Sequence, residues 1–173
     1  MTKRTSLAAF VAAVVIQALI LIAVPARRVF TRATGKTVVL KVQPVDPYNV
    51  LSGYYATLGF DISRVDAFPN AQVFPDGPIY AVVARGDDGT WKPALLESHL
   101  PDNLPDNRVA ILGQIRGGMI TYGIEEFYIP EAQREKIAED LSKHQDKARV
   151  EVKVDRGGHA ALERLRIEDR IYE

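Results

Sequence analysis

Eighteen residues near the start of the chain, 7–24, read L-A-A-F-V-A-A-V-V-I-Q-A-L-I-L-I-A-V, with Gln17 as the only polar side chain. As a helix rising about 1.5 Å per residue, this run covers roughly 27 Å, close to the thickness of a bilayer's hydrocarbon core. It must therefore cross a membrane, serve as a cleavable export signal, or lie buried inside a core. The apolar part of a signal peptide is usually ~7–15 residues. The longer run favours an uncleaved anchor, although Val24, Pro25 and Ala26 offer small residues where a signal peptidase cuts.

The flanks give conflicting signals about orientation. Residues 1–6 form a basic tail with Lys3 and Arg4, and the connector at 25–36 carries Arg27, Arg28, Arg32 and Lys36. Counting positive charge leans toward a cytoplasmic head. A short basic tail before one apolar run is instead the usual form of an export signal or signal anchor, and on that ground the head is expected outside the cytoplasm.

With the connector too short to let a domain wander, residues 37–173 make one membrane-proximal domain. Its partners are bounded by charge: 22 basic residues balance 22 acidic ones, so no global field draws nucleic acid. The chain has no cysteine, which removes disulfides, thiol catalysis, iron–sulfur centres and the usual structural zinc sites. No motif asks for a cofactor.

The head reads as mainly β. Val38, Leu40 and Val42 alternate with polar neighbours as a first strand, ended by Pro44 and by Asp46-Pro47. Across 54–63, Tyr54, Ala56, Leu58, Phe60 and Ile62 share one side while Tyr55, Thr57, Gly59, Asp61 and Ser63 share the other, the period of a half-buried strand. Residues 79–85 suit a buried strand, and Asp87-Asp88-Gly89 turns it into 90–97. Residues 108–116 and 119–129 form the next pair across Gly117-Gly118. Pro130 opens a helix over 131–147 whose apolar stripe, Ala132, Ile137, Ala138 and Leu141, is thin. Residues 150–154 and 160–167 close the chain around Gly157-Gly158. Repeated hairpins with one surface helix predict an antiparallel β sandwich or partly open barrel, so the class is α+β with β dominant.

The stretch D-P-x-x-x-L-x-G-x-Y-x-x-L-x-F-x-I-S, from Asp46 to Ser63, resembles the signature of the bacterial membrane-anchored family named after its G-D-Y-x-x-L-x-Y motif. The lead-in 33–47 and a second block, Y-G-I-E-E-F-Y-I-P-E at 122–131, are also similar to that family. The positions that fall on the family's motifs are Gly53, Tyr55, Leu58 and Phe60 in the first block and Tyr122, Gly123, Glu125, Phe127, Pro130 and Glu131 in the second, none with an assigned role. Two positions depart from the motif: its Asp is Tyr54 here and its last Tyr is Phe60. A phenol titrating near ~10 cannot replace a carboxylate as an acid, base or metal ligand at neutral pH. The resemblance implies a single-pass protein of unknown activity, with a polytopic membrane protein as partner.

Chemistry-bearing residues are sparse. His99, His144 and His159 are scattered without ligand spacing and read as surface residues. Glu125, Glu126 and Glu131 are candidates for an acid/base set in a membrane-associated hydrolase, or for an oxygen-rich cation or small-ligand site; the preferred reading is a solvated glutamate and a cross-sheet ion pair. Asp102, Asn103, Asp106 and Asn107 read as turn residues. The glycine pairs lack the following helix and lysine of a phosphate loop. Ser52 invites a serine–lysine hydrolase reading, but no lysine stands out. Tyr48, Tyr54, Tyr55, Phe60, Tyr122, Phe127 and Tyr128 come from the two similar blocks; if these are neighbours in the sheet, their rings form one cluster, either core or a docking face.

Overall fold

In the computed structural model, which describes residues 2–43, 51–52, 55–72 and 74–172, the apolar run lies in one helix, α1 (Thr2–Thr34). Its segment Leu7–Thr34 is long and apolar enough to cross a membrane. Large side chains along it, from Leu7 to Ile22, are exposed rather than packed on the head, which removes the buried-helix alternative. Residues of the connector continue the helix through Pro25. Proline withholds one N–H from the ladder there, and the helix nevertheless runs on to Thr34. It ends where Gly35 N donates to Thr31 O at 2.8 Å and Thr34 Oγ1 to Phe30 O at 2.9 Å.

The first strand, β1 (Lys36–Gln43), follows directly. Then come β2 (Leu51–Ser52), β3 (Tyr55–Thr57), β4 (Gly59–Phe60), β5 (Gly77–Arg85), β6 (Trp91–Glu97), β7 (Arg108–Arg116) and β8 (Met119–Thr121). The chain closes with β9 (Glu126–Tyr128), α2 (Arg134–His144), β10 (Ala148–Val154), β11 (Ala160–Ile167) and β12 (Arg170–Tyr172). Three antiparallel sheets result, ordered β12-β11-β10-β1-β4, β2-β3-β9 and β6-β5-β7-β8, and together they curl as a half-barrel around one core.

The alternation in the sequence sets which side faces that core. Val38 and Leu40 of β1 lie opposite Val152 and Val150 of β10, and all four are fully buried. Ala56, Leu58, Phe60 and Ile62 are buried, while Tyr55 and Thr57 on the other side are exposed. Each large aliphatic side chain buried this way contributes about 1.5–3 kcal/mol of transfer free energy. At the hairpin between β7 and β8, Gly117 and Gly118 take φ of 55° and 79°, the positive pair that a two-residue type I′ turn requires.

Three local expectations need correction. The strand expected over 54–63 is interrupted: β3 joins one sheet and β4 another, and Leu58 between them belongs to neither. The strand expected over 119–129 is likewise split into β8 and β9, because the chain turns at 122–125 with Gly123 at φ 75°. The first segment keeps its alternation while passing from one sheet to the next; in the second the buried side shifts from even positions, Ile120, Tyr122 and Ile124, to odd ones, Phe127 and Ile129, at the turn. The chain also does not end on β11. A further strand, β12, puts Arg170 and Tyr172 against the buried carboxylate of Asp140 on α2. These partners explain how a helix with only Ile137 and Leu141 buried among its large apolar residues stays docked. The Tyr172 hydroxyl and then the Arg170 guanidinium hold the Asp140 carboxyl below its ordinary pKa.

Candidate functional site

The two sequence blocks singled out above meet in the fold. In the ladder between β3 and β9, Tyr55 lies opposite Tyr128, Ala56 opposite Phe127, and Thr57 opposite Glu126. Beyond the ladder, Leu58 N donates to Glu125 O at 2.7 Å, and the Tyr122 hydroxyl donates to Ile62 O at 2.6 Å. The Glu125 carboxylate accepts from Tyr122 N at 2.5 Å and so fixes the turn after β8. Burial, then the charges of Glu125 and Asp61, push the Tyr122 phenol well above its ordinary pKa, so it remains a hydroxyl donor. Leu58, Phe60, Tyr122 and Phe127 are thus core residues that staple one block to the other.

The aromatics divide between two environments. Phe60, Tyr122 and Phe127 belong to the core, whereas Tyr55 and Tyr128 pack edge to face, ring centroids 5.7 Å apart at 70°, and stay 47% and 58% exposed. Tyr48, Tyr54 and Gly53 lie outside the described residues. Pro130 accepts from Gln133 N at 2.9 Å in the turn that leads to α2. Glu131 is exposed at that turn, away from the other two glutamates' cavity.

That cavity, about 900 Å³, is a groove between the end of α1 and the sheet surface. Arg28 and Arg32 of α1 form one wall; Glu125, Glu126, the Tyr55–Tyr128 pair and residues 160–163 of β11, ending in Glu163, form the rest. The helix is bonded to the head beside it. Thr31 is buried and its hydroxyl donates to Asp155 Oδ2 at 2.7 Å, while Arg32 donates through Nε and Nη2 to Leu162 O at 3.2 and 2.8 Å. Burial raises the Asp155 carboxyl, but bonds from Thr31, from the backbone of His159 and Gly157 and from the His159 ring outweigh it and leave the pKa lowered.

A second carboxylate stands apart. Asp61 turns the chain after β4, and its Oδ1 is buried without a hydrogen-bond partner among the described residues. Desolvation raises its pKa to about 6, opposed by its own and the Ile62 backbone N–H groups and by the charges of Lys41 and Arg149.

The remaining candidates stay dispersed. His144 faces Glu168 at 3.2 Å and His159 faces Asp155 at 3.3 Å, while His99 is exposed on a loop. Among the described residues no three His, Asp or Glu side chains converge as metal ligands do. Arg108 N donates to Pro105 O at 2.8 Å, placing the Asp102–Asn107 stretch in a turn. Ser52 lies in β2. The sequence reading missed Arg28 and Arg32 as groove residues; their i, i+4 spacing marks one helix face, but only once residues 25–34 are read as helical. No local pattern marks Glu163.

A family model described as GDYXXLXY protein matches residues 17–165, most of the chain. No curated protein and no solved structure matches it.

Proposed function

The chain belongs to the GDYXXLXY family, a family of unknown function, and from that premise we propose a non-enzymatic, single-pass membrane-anchored head. It docks on a polytopic membrane protein, with the head on the extracytoplasmic side. The observation that carries this reading is the exposed Tyr55–Tyr128 pair on the groove rim. Tyrosine is enriched among the few residues that dominate interface energies, and two rings held edge to face lose little freedom when a partner covers them. Bonds from Thr31 and Arg32 hold the pair at a fixed place relative to the span, within reach of a membrane-embedded partner.

A hydrolase reading finds less support in the same groove. Glu125 is committed to the Tyr122 N–H, and Glu163 lies 3.7 Å from Lys153 and 3.9 Å from Arg164. Glu126 has no side-chain partner among the described residues, and Glu131 does not line the groove, so a pair of positioned groups of the kind acid/base hydrolysis requires is not found among the described residues there.

The test is native co-purification from membranes in mild detergent. The wild-type chain is expected to carry a polytopic partner that Tyr55→Ala loses while the head stays folded, as read by the fluorescence of the single, buried Trp91. Unfolding of Tyr55→Ala, or retention of the partner, would refute the docking role.

A further inference from the structure

We propose that the groove beside α1 binds the headgroup of a zwitterionic aminophospholipid, a phosphate ester carrying a primary ammonium. The proposal rests on α1 being a membrane span. The groove is polarised: Arg28 and Arg32 line one wall, and Glu125, Glu126 and Glu163 line others. The side chains of Arg28 and Glu126 have no hydrogen-bond or ion-pair partner among the described residues, and both line the same cavity. Arginine matches phosphate oxygens through its planar fork. Glutamate accepts the N–H bonds of a primary ammonium, and the rings of Tyr55 and Tyr128 line the same groove. A single ligand carrying both charges satisfies both walls, whereas a purely anionic headgroup would meet three carboxylates.

Position identifies the source as lipid. Arg28 is four residues past Val24, roughly 6 Å along a helix, and Arg32 roughly 12 Å, which is headgroup depth for a span ending at residue 24. A neighbouring cavity, lined by Ala23, Arg27, Arg28, Thr31, His159 and Ala160, shares Arg28 and Ala160 with the groove. It carries the opening down to the last turn of the apolar run. The groove, at about 900 Å³, is at the upper end of ligand-site volumes, ~300–1,000 Å³.

The experiment uses the full chain, purified in mild detergent and exposed to phosphatidylethanolamine, phosphatidylglycerol or phosphatidylcholine of matched acyl chains. Retained lipid is read by native mass spectrometry. Phosphatidylethanolamine is expected to be retained best, since the glycerol headgroup lacks an ammonium and choline has no N–H to donate. Glu126→Gln should weaken phosphatidylethanolamine alone by about tenfold, and Arg28→Gln should weaken it and phosphatidylglycerol alike by about tenfold, with Arg28→Lys restoring part of the loss. Trp91 fluorescence confirms that each variant is folded. Equal retention of the three lipids, unchanged retention in either glutamine variant, or equal binding of soluble phosphoethanolamine overturns the proposal. An intact mass missing the first two dozen residues overturns the anchor reading itself, independently of any lipid result, and the proposal with it.

Discussion

Raising the pH from about 4.5 to 6.5 is expected to weaken the folded head, and Asp61 is the reason. Its carboxyl titrates at about 6 in the fold against 3.8 for an unburied aspartate. Between those values the folded chain holds a proton that the unfolded chain has released, so stability falls as pH rises through the window and levels off above it. A shift of roughly two units corresponds to at most about 3 kcal/mol. The carboxyl is partly open to water, which screens its interactions, and about 1–1.5 kcal/mol is the expected fall. Carboxylates whose pKa is lowered, such as Asp140, Asp155 and Glu168, act oppositely: their contribution is present above the unfolded value and is lost as pH falls below about 4. The two effects therefore separate along the pH axis. Urea titrations of the full chain in detergent, followed by Trp91 fluorescence at several pH values, should show the slope in the wild type and its disappearance in Asp61→Asn. At pH 7 the variant should be the more stable chain, by about 1 kcal/mol, since a neutral amide with one unpaired group is easier to bury than a charge. A slope that survives in Asp61→Asn, or wild-type stability that rises over the same interval, would refute the assignment.

Two further substitutions test the packing. In Gly113→Ala a new Cβ would come within 2.7 Å of Ile120 Cγ2 and 2.9 Å of the Tyr122 ring, so a loss of about 1–3 kcal/mol in urea stability is expected; an unchanged midpoint would show that the β7–β8 turn region yields freely. Thr31→Val removes the hydroxyl bond to Asp155 while keeping the shape, which should cost about 1 kcal/mol and speed amide hydrogen exchange across the last turns of α1; unaltered exchange there would show that the bond does not hold the helix to the head.

Much of the fold can be read from local pattern, because period and turn chemistry act over a few residues. The faces of β1, β7 and β10, the glycine hairpin at 117–118 and the helix after Pro130 follow from alternation, positive φ and the preference of proline for a first helical turn. The break at Leu58 was not legible, since the alternation runs through it unchanged; the break at 122–125 leaves a trace in the sequence, the apolar side passing from even positions to odd ones at Phe127, which reading 119–129 as one strand passes over. Residues 25–36, read as a connector, are helical through Thr34, because the helix continues past the end of the apolar run. For the site, the pairing of Tyr55 with Tyr128 was open to anticipation from two aromatic-rich blocks. The meeting of Arg28 and Arg32 with Glu126 and Glu163 was not, because it joins residues roughly a hundred or more positions apart through tertiary packing alone.

The continuity of α1 into the head has a mechanical consequence. With Thr34 and β1 separated by Gly35 alone, and the last helical turn bonded to β11 and the turn before it, no joint divides the stalk from what it carries. On the proposed reading of α1 as a membrane span, a change in the tilt of that span would swing the whole β structure with it as one lever and become a displacement at the far hairpins.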